Sequence, residues 1–332
     1  MAARSGTGFG AAGGSGARPI SRLSERGLAL RQEKQLEKQA QRSLQAGDWE
    51  GAERTYRQLV QRESTNPAVY TNLAALLTLQ RRGDDREPLL RQALALQPND
   101  PVVHNNLGQV LVQRGELPQA EACFQAAVTL DPAYPQALTN LANLRCQRGA
   151  LEEAISLYER ALESDPNDVE AHWNLAHPLL LKGDYRRGLR QYAYRFAIRE
   201  AIQPHAVPPL PRWDGSPLPT DAPLVVVSEQ GLGDTLQFMR LVPLLRQGLD
   251  CPVLLSVQDK LAPLAQQSAL ADGVVPHHDL QGLTRGHWLP LLSLPERLEI
   301  EPSQPLPSLP LLQPSAQARQ RWRALLAAAD DP

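Results

Sequence analysis

The feature that most constrains this chain is a period. Asn72, Asn106, Asn140 and Asn174 recur every 34 residues, each followed by a leucine (Leu73, Leu107, Leu141, Leu175) and then by alanine or glycine. Gly115, Gly149 and Gly183 keep the same spacing, and so do Pro98, Pro132 and Pro166. Internal repetition at this length points to a stack of small supersecondary units. Each period carries two helical apolar patterns separated by a glycine turn, as in LGQVLVQRGELPQAEACFQAAVTLDP. Small residues (Gly108, Ala120, Ala127) fall where the two helices must approach closely, and Leu111 and Phe124 fill the remaining space. Pro67, Pro101 and Pro135 open their units, where a missing N–H costs nothing. One register fits five units: 33–66, 67–100, 101–134, 135–168 and 169–202.

This pattern resembles the tetratricopeptide repeat, most specifically in units three and four. The outer units depart from it, as capping units do. Unit one carries Lys38 in place of the asparagine and lacks the opening aromatic residue. In unit two Gly83 comes two residues late, and Arg86 replaces a small residue. Unit five has Gly188 at that position. The resemblance implies an all-helical superhelix whose concave surface is lined by the first helix of each pair. Asn72, Asn106, Asn140 and Asn174 would then form a ladder along it. An amide offers donors and an acceptor, so such a ladder can clamp an extended peptide backbone. Similar ladders occur in the repeats of the protein O-GlcNAc transferases. The alternative is that these asparagines only support hydrogen bonds between helices. Cys123 and Cys146 read as packing residues on helix faces.

Composition narrows the remaining choices. At 332 residues the chain has room for roughly two domains. Thirty-four basic and 36 acidic side chains leave a net charge of −2, against a dedicated nucleic-acid binder. Three cysteines without metal-ligand spacing exclude a disulfide framework and favour a reducing compartment, here read as the cytoplasm. No apolar run is long enough to span a membrane. Residues 1–20 read as a flexible Gly/Ala/Ser leader, 21–202 as the repeats and 203–223 as a proline-rich linker, with seven prolines from Pro204 to Pro223. The junction preceding the linker carries Arg186, Arg187, Arg190, Arg195 and Arg199. This stripe could hold phosphate, or dock the repeats onto the next domain; the second reading is preferred.

Residues 224–332 read differently. A buried-strand run, Leu224 to Ser228, meets a glycine turn, Glu229 to Asp234, and an amphipathic helix from about Thr235. A second strand (CPVLLSVQ), a helix (LAPLAQQSAL) and a short strand at Val274–Val275 come next. Alternating strands and helices predict a parallel, Rossmann-like sheet. Its glycine turn would lie where such sheets bind ligands, with Gly231 and Gly233 allowing close backbone approach. The turn is neither a Walker A loop nor a dinucleotide fingerprint, because no Gly-Lys-Ser/Thr follows and Leu236 replaces the third glycine. His277, His278 and Asp279 could suggest a metal site but read as solvated loop residues, so no metal or cofactor is expected.

The longer strings WDGSPL, EQGLGDTLQFMR and HWLPLLSLP, then LPLL ahead of a helix containing Trp322, resemble bacterial tetratricopeptide-linked glycosyltransferases of GT-B type. Those are related to heptosyltransferase-like and O-GlcNAc transferase-like enzymes. The resemblance implies the N-terminal, acceptor-side half of a GT-B fold. It places Asp234 as a candidate general base, with Glu229, Gln230, Gly231 and Gly233 in the ligand-binding loop. A nucleotide-sugar and a hydroxyl acceptor become possible partners, beside a peptide or protein in the repeat groove. On the residues alone Asp234 could instead be a helix N-cap, and Glu229 and Gln230 could merely shape the loop. The chain stops at ALLAAADDP, where the family's second, donor-binding domain would begin. The expectation is therefore a protein-binding scaffold fused to half a glycosyltransferase and inactive alone. An active transferase and a pure assembly scaffold are the alternatives.

Overall fold

The computed structural model describes residues 19–80, 86–198, 204–301, 303 and 312–329. The predicted leader up to residue 18, Gly83, Arg199 and most of the LPLL string lie outside the described residues. The chain divides into two compact units, Met1–Pro132 and Ala133–Pro332.

The first unit is three helix pairs: α1 (Pro19–Gln45) with α2 (Trp49–Gln61), α3 (Pro67–Leu79) with α4 (Arg86–Leu96), and α5 (Pro101–Gln113) with α6 (Leu117–Leu130). Local chemistry fixes where the helices start. Asn66 accepts a hydrogen bond from Ala68 N at 3.1 Å, and Asp100 Oδ1 accepts from Val102 N at 2.9 Å and Val103 N at 3.2 Å. Pro67 and Pro101 occupy the first turn just behind these caps. Gly115, at φ +79°, makes the left-handed turn between α5 and α6. Tyr56, Leu59, Leu73, Leu77, Leu107 and Phe124 fill the interior. Gly108 is small for a reason that can be measured: a Cβ there would lie 2.5 Å from the Phe124 ring. Arg86, the oversized residue of unit two, is buried. Its guanidinium donates to Thr78 Oγ1 at 3.0 Å and to Gln113 Oε1. Helix α1 starts at Pro19, well upstream of residue 33, so the first helix exceeds the repeat unit assigned from the period.

The second unit holds two more pairs, α7 (Pro135–Gln147) with α8 (Leu151–Ser164) and α9 (Val169–Leu181) with α10 (Tyr185–Tyr192), then a 3-10 turn, Ala193–Phe196. A small parallel sheet comes after them. Its strands are β1 (Leu224–Val227), β2 (Val253–Ser256), β3 (Gly273–Val274) and β4 (His287–Pro290), in the order β3-β2-β1-β4. Leu224 pairs with Val253 on one side and His287 on the other. Strand β1 is buried on both faces. Leu224 and Val226 pack with Met239, Val242, Leu255 and Leu289, while Val225 and Val227 meet Leu210, Leu280 and Trp288. Helices α11 (Leu232–Phe238), α12 (Val242–Gln247), α13 (Ala262–Ser268) and α14 (Leu294–Arg297) connect or follow the strands. Helix α15 (Ala316–Ala329) is exposed, Trp322 included; just before it, Gln313 N donates to Ser268 Oγ at 3.0 Å.

Three expectations change here. The proline-rich span is more than a connector. Arg212 bridges to Trp288 in parallel, Trp213 N donates to Trp288 O at 2.8 Å, and His205 N donates to Ser228 O at 3.1 Å. Having few free N–H groups, this segment suits the outer edge of a sheet, where only one side is paired. HWLP, read only as part of a motif string, forms strand β4. The helix after the glycine turn starts at Leu232 rather than Thr235.

Candidate functional site

Helices α7 and α9 carry a groove in the second unit, a hollow of about 460 Å³. Asn143, Cys146 and Gln147 come from α7 and Trp173, Asn174 and His177 from α9, with Tyr158 from α8 and Tyr192 from α10 also in the lining. Residues three and four apart share a helix face, which is why one side of each helix supplies the lining. Trp173 packs against Tyr192 with ring centroids 5.3 Å apart. Tyr158 OH donates to Asn143 Oδ1 and so fixes the orientation of that amide, both side chains lining the hollow. Burial pushes the Tyr158 and Tyr192 phenols above their ordinary values and does the same to the Cys146 thiol. All three stay protonated near neutral pH. Among the described residues, no Asp, Glu, Lys or Arg lines the groove. It offers aromatic faces, amides and the His177 imidazole without a carboxylate, ammonium or guanidinium, which favours uncharged ligand groups.

The glycine turn sits at the carboxyl end of β1. Asp234 is the third residue of α11 and not its N-cap: that place belongs to Gly231, whose N–H donates to Asp234 Oδ2 at 3.1 Å. The carboxylate is thus the acidic half of a capping box. Neither Gly231 nor Gly233 has a positive φ, and a Cβ on Gly233 would meet open space. Gln230 Nε2 donates to Tyr192 OH at 3.0 Å, and Gln230 O accepts from Gln258 Nε2 at 2.7 Å. Glu229 faces the interior rather than solvent. Its carboxylate is wholly buried, accepting from Arg195 Nε at 3.0 Å, Arg195 Nη2 at 3.0 Å and Leu292 N at 2.9 Å. Arg195 completes its own set with Ser293 Oγ at 2.9 Å and Tyr192 O at 3.1 Å, packed on the Tyr192 and Phe196 rings. A buried carboxylate needs such a partner, and the pair fills the end of the sheet between β1 and β4.

The arginine stripe is therefore not one surface. Arg195 is interior, Arg187 pairs with Asp184 and Glu159, and Arg186 and Arg190 remain exposed. His277 is also more than a solvated loop residue. It is half-buried, stacked on His205 at 5.7 Å, with Nε2 3.3 Å from Ser228 Oγ; burial, then the nearby His205, hold its pKa below the usual imidazole value. His278 and Asp279 are exposed. Among the described residues, no cluster of three or more His, Cys, Asp or Glu could hold a metal ion, and no helix is long and apolar enough to cross a membrane.

The sequence profile of the tetratricopeptide repeat matches residues 37–101, 105–169 and 147–205, together half of the chain. The chain belongs to the tetratricopeptide repeat family. Its repeats form a protein-binding type of scaffold. Solved tetratricopeptide structures resemble it at low identity. MamA from Desulfovibrio magneticus RS-1 is 22% identical with a TM-score of 0.44, over 48% of this chain and 91% of that one. Pseudomonas aeruginosa PilF is 20% identical with a TM-score of 0.43, over 49% and 74%. YrrB, described as a tetratricopeptide protein with an unusual peptide-binding site, is 21% identical with a TM-score of 0.40, over 48% and 82%. No curated protein sequence matches the chain.

Within the tetratricopeptide units, all four period asparagines are half-buried on first helices. Asn72 and Asn106 belong to the first compact unit, Asn140 and Asn174 to the second. Asn72 Nδ2 donates to Tyr56 OH at 3.1 Å, an inter-helix bond of the structural kind. Asn174 lines the groove. Sequence reasoning alone passes over Asn143, Trp173 and His177. The signal for two of them is present: Asn143 and His177 each lie three residues after a period asparagine, one turn along the same face.

Proposed function

We propose that this protein is an interaction scaffold whose repeat groove takes an extended, uncharged peptide segment of a protein partner. The groove between α7 and α9 carries the reading: it is lined by Trp173, amides and a protonated thiol, with no Asp, Glu, Lys or Arg among its described lining residues. In this reading Asn143 and Asn174, which line the groove, hold the peptide backbone, and Trp173 covers an apolar or aromatic side chain. The test is selection of a phage-displayed library of random dodecapeptides on the full chain, followed by fluorescence polarisation with the best synthetic peptide. Trp173→Ala and Asn174→Ala should each weaken binding about tenfold, or 1.4 kcal/mol. Absence of any enriched peptide, or unchanged affinity in both variants, rejects the reading.

A second reading is the active-transferase alternative, in which the sheet supplies the acceptor side of a GT-B glycosyltransferase and Asp234 is its general base. In its favour is the strand order, which puts the glycine turn beside the place where the connections diverge from β1. Titration calorimetry with UDP- and ADP-sugars tests it. Micromolar binding that Asp234→Asn leaves intact, with loss of sugar transfer, supports it; no binding at millimolar sugar removes it.

A further inference from the structure

The groove does not end at the last repeat. Its wall residues His177 and Leu180 are also walls of a second hollow, of about 370 Å³. The repeat side of that hollow includes Leu181, Tyr185 and Leu189, and its other side is Phe238, Leu241 and Ile300 from the sheet portion. Leu189, Pro295 and Ile300 are shared in turn with a third hollow, of about 200 Å³. There Arg186 and Arg190 on α10 share the lining with Glu296, Glu299 and Glu301. The three hollows adjoin one another in series within the second compact unit.

Chemistry changes in order along the series. The first stretch has no Asp, Glu, Lys or Arg among its described residues and is rich in amides. The second is apolar, with Arg240 its one Asp, Glu, Lys or Arg side chain among the described residues. The third is charged with both signs. We infer that the α/β portion extends the peptide site: a partner segment bound in the repeat groove crosses the His177–Leu180 ridge and buries a bulky apolar side chain between α10 and α11. The occupant is one extended peptide carrying an uncharged residue, then an aliphatic or aromatic anchor, then charged residues. Adjacency to the repeat groove, through the shared wall residues His177 and Leu180, supports this choice of occupant. The buried Arg195–Glu229 pair ties the residues after α10 to the loop before α11, so both walls of the second hollow are held together. Gln230 adds a bond to Tyr192, a lining residue of the first hollow.

This inference rests on the peptide-groove reading, and the experiment separates the two. Gln147 is exposed and lines only the first hollow; Leu181 is 61% exposed and lines only the second. Both can be changed without disturbing a core. With the dodecapeptide selected on the full chain, Gln147→Glu and Leu181→Asp should each weaken binding about tenfold. Alanine at the peptide's apolar anchor should weaken binding to the unmodified protein, and have little further effect on Leu181→Asp. If Gln147→Glu weakens binding and Leu181→Asp changes it less than twofold, the extension is overturned and the groove stands. If neither variant matters, the extension falls; if no peptide is enriched, or Trp173→Ala and Asn174→Ala also leave affinity unchanged, both fall.

Discussion

Replacing Arg195 by alanine should be the most costly single change near the sheet. The two side chains of the pair are 1% and 0% exposed, so water cannot take the place of the lost guanidinium. Of the three donors serving Glu229, only Leu292 N would remain. Breaking a buried pair by removing one partner costs about 3–5 kcal/mol. For a unit the size of Ala133–Pro332 each kcal/mol shifts the melting temperature by about 2–4 °C, giving a drop of about 6–20 °C. The exposed pair Arg187–Glu159, with side chains 48% and 43% exposed, is the control and should give about 0–1 kcal/mol on Arg187→Ala. Differential scanning calorimetry, with urea unfolding followed by tryptophan fluorescence, measures both. The double change Arg195→Met with Glu229→Met removes the stranded charge while keeping the space filled, and should recover most of the loss. A loss below about 1 kcal/mol for Arg195→Ala, or a double variant no better than the single one, would refute the argument.

Single contacts carry the other expectations. Gly286 has φ +112°, and a Cβ there would sit 2.2 Å from Pro223 O, so Gly286→Ala should prevent the β4 edge from closing and lower the melting temperature more than Gly108→Ala does. Asp100→Ala removes an N-cap serving two amides and should cost about 0.5–2 kcal/mol in urea unfolding. His277 is held below its ordinary pKa by burial, and the sign comes from linkage. As pH falls below about 6.5 the unfolded chain takes up a proton that the folded one refuses. Stability therefore falls with pH until the lowered folded value is passed, then levels off. His277→Asn should flatten the urea midpoint between about pH 7 and 5.

The repeats are legible in the sequence because their period is written in residues with strict geometric roles. Gly115, Gly149 and Gly183 adopt φ of +79°, +80° and +84°, and Pro67, Pro101 and Pro135 sit in first helical turns. Strands β1 and β2 are legible from apolar runs. Strand β4 is not, because HWLP begins with a polar histidine and ends in proline, so it shows no apolar run of the kind that marks β1 and β2. Glu229 misleads for a different reason. A carboxylate in a glycine turn looks the same in sequence whether it faces ligand or interior, and only Arg195, 34 residues earlier, decides between them. The groove is half legible. Asn174 comes from the period, whereas Trp173 and Tyr192 meet only through tertiary packing.

The division of the chain at residue 132 has an evolutionary consequence. Repeat arrays change by duplicating or deleting whole units. Every residue of the proposed extended site lies from Asn143 onward, so gain or loss of a unit upstream would alter the length of the array and leave the site's own residues untouched. Selection on reach and selection on recognition can then act on separate stretches of one gene.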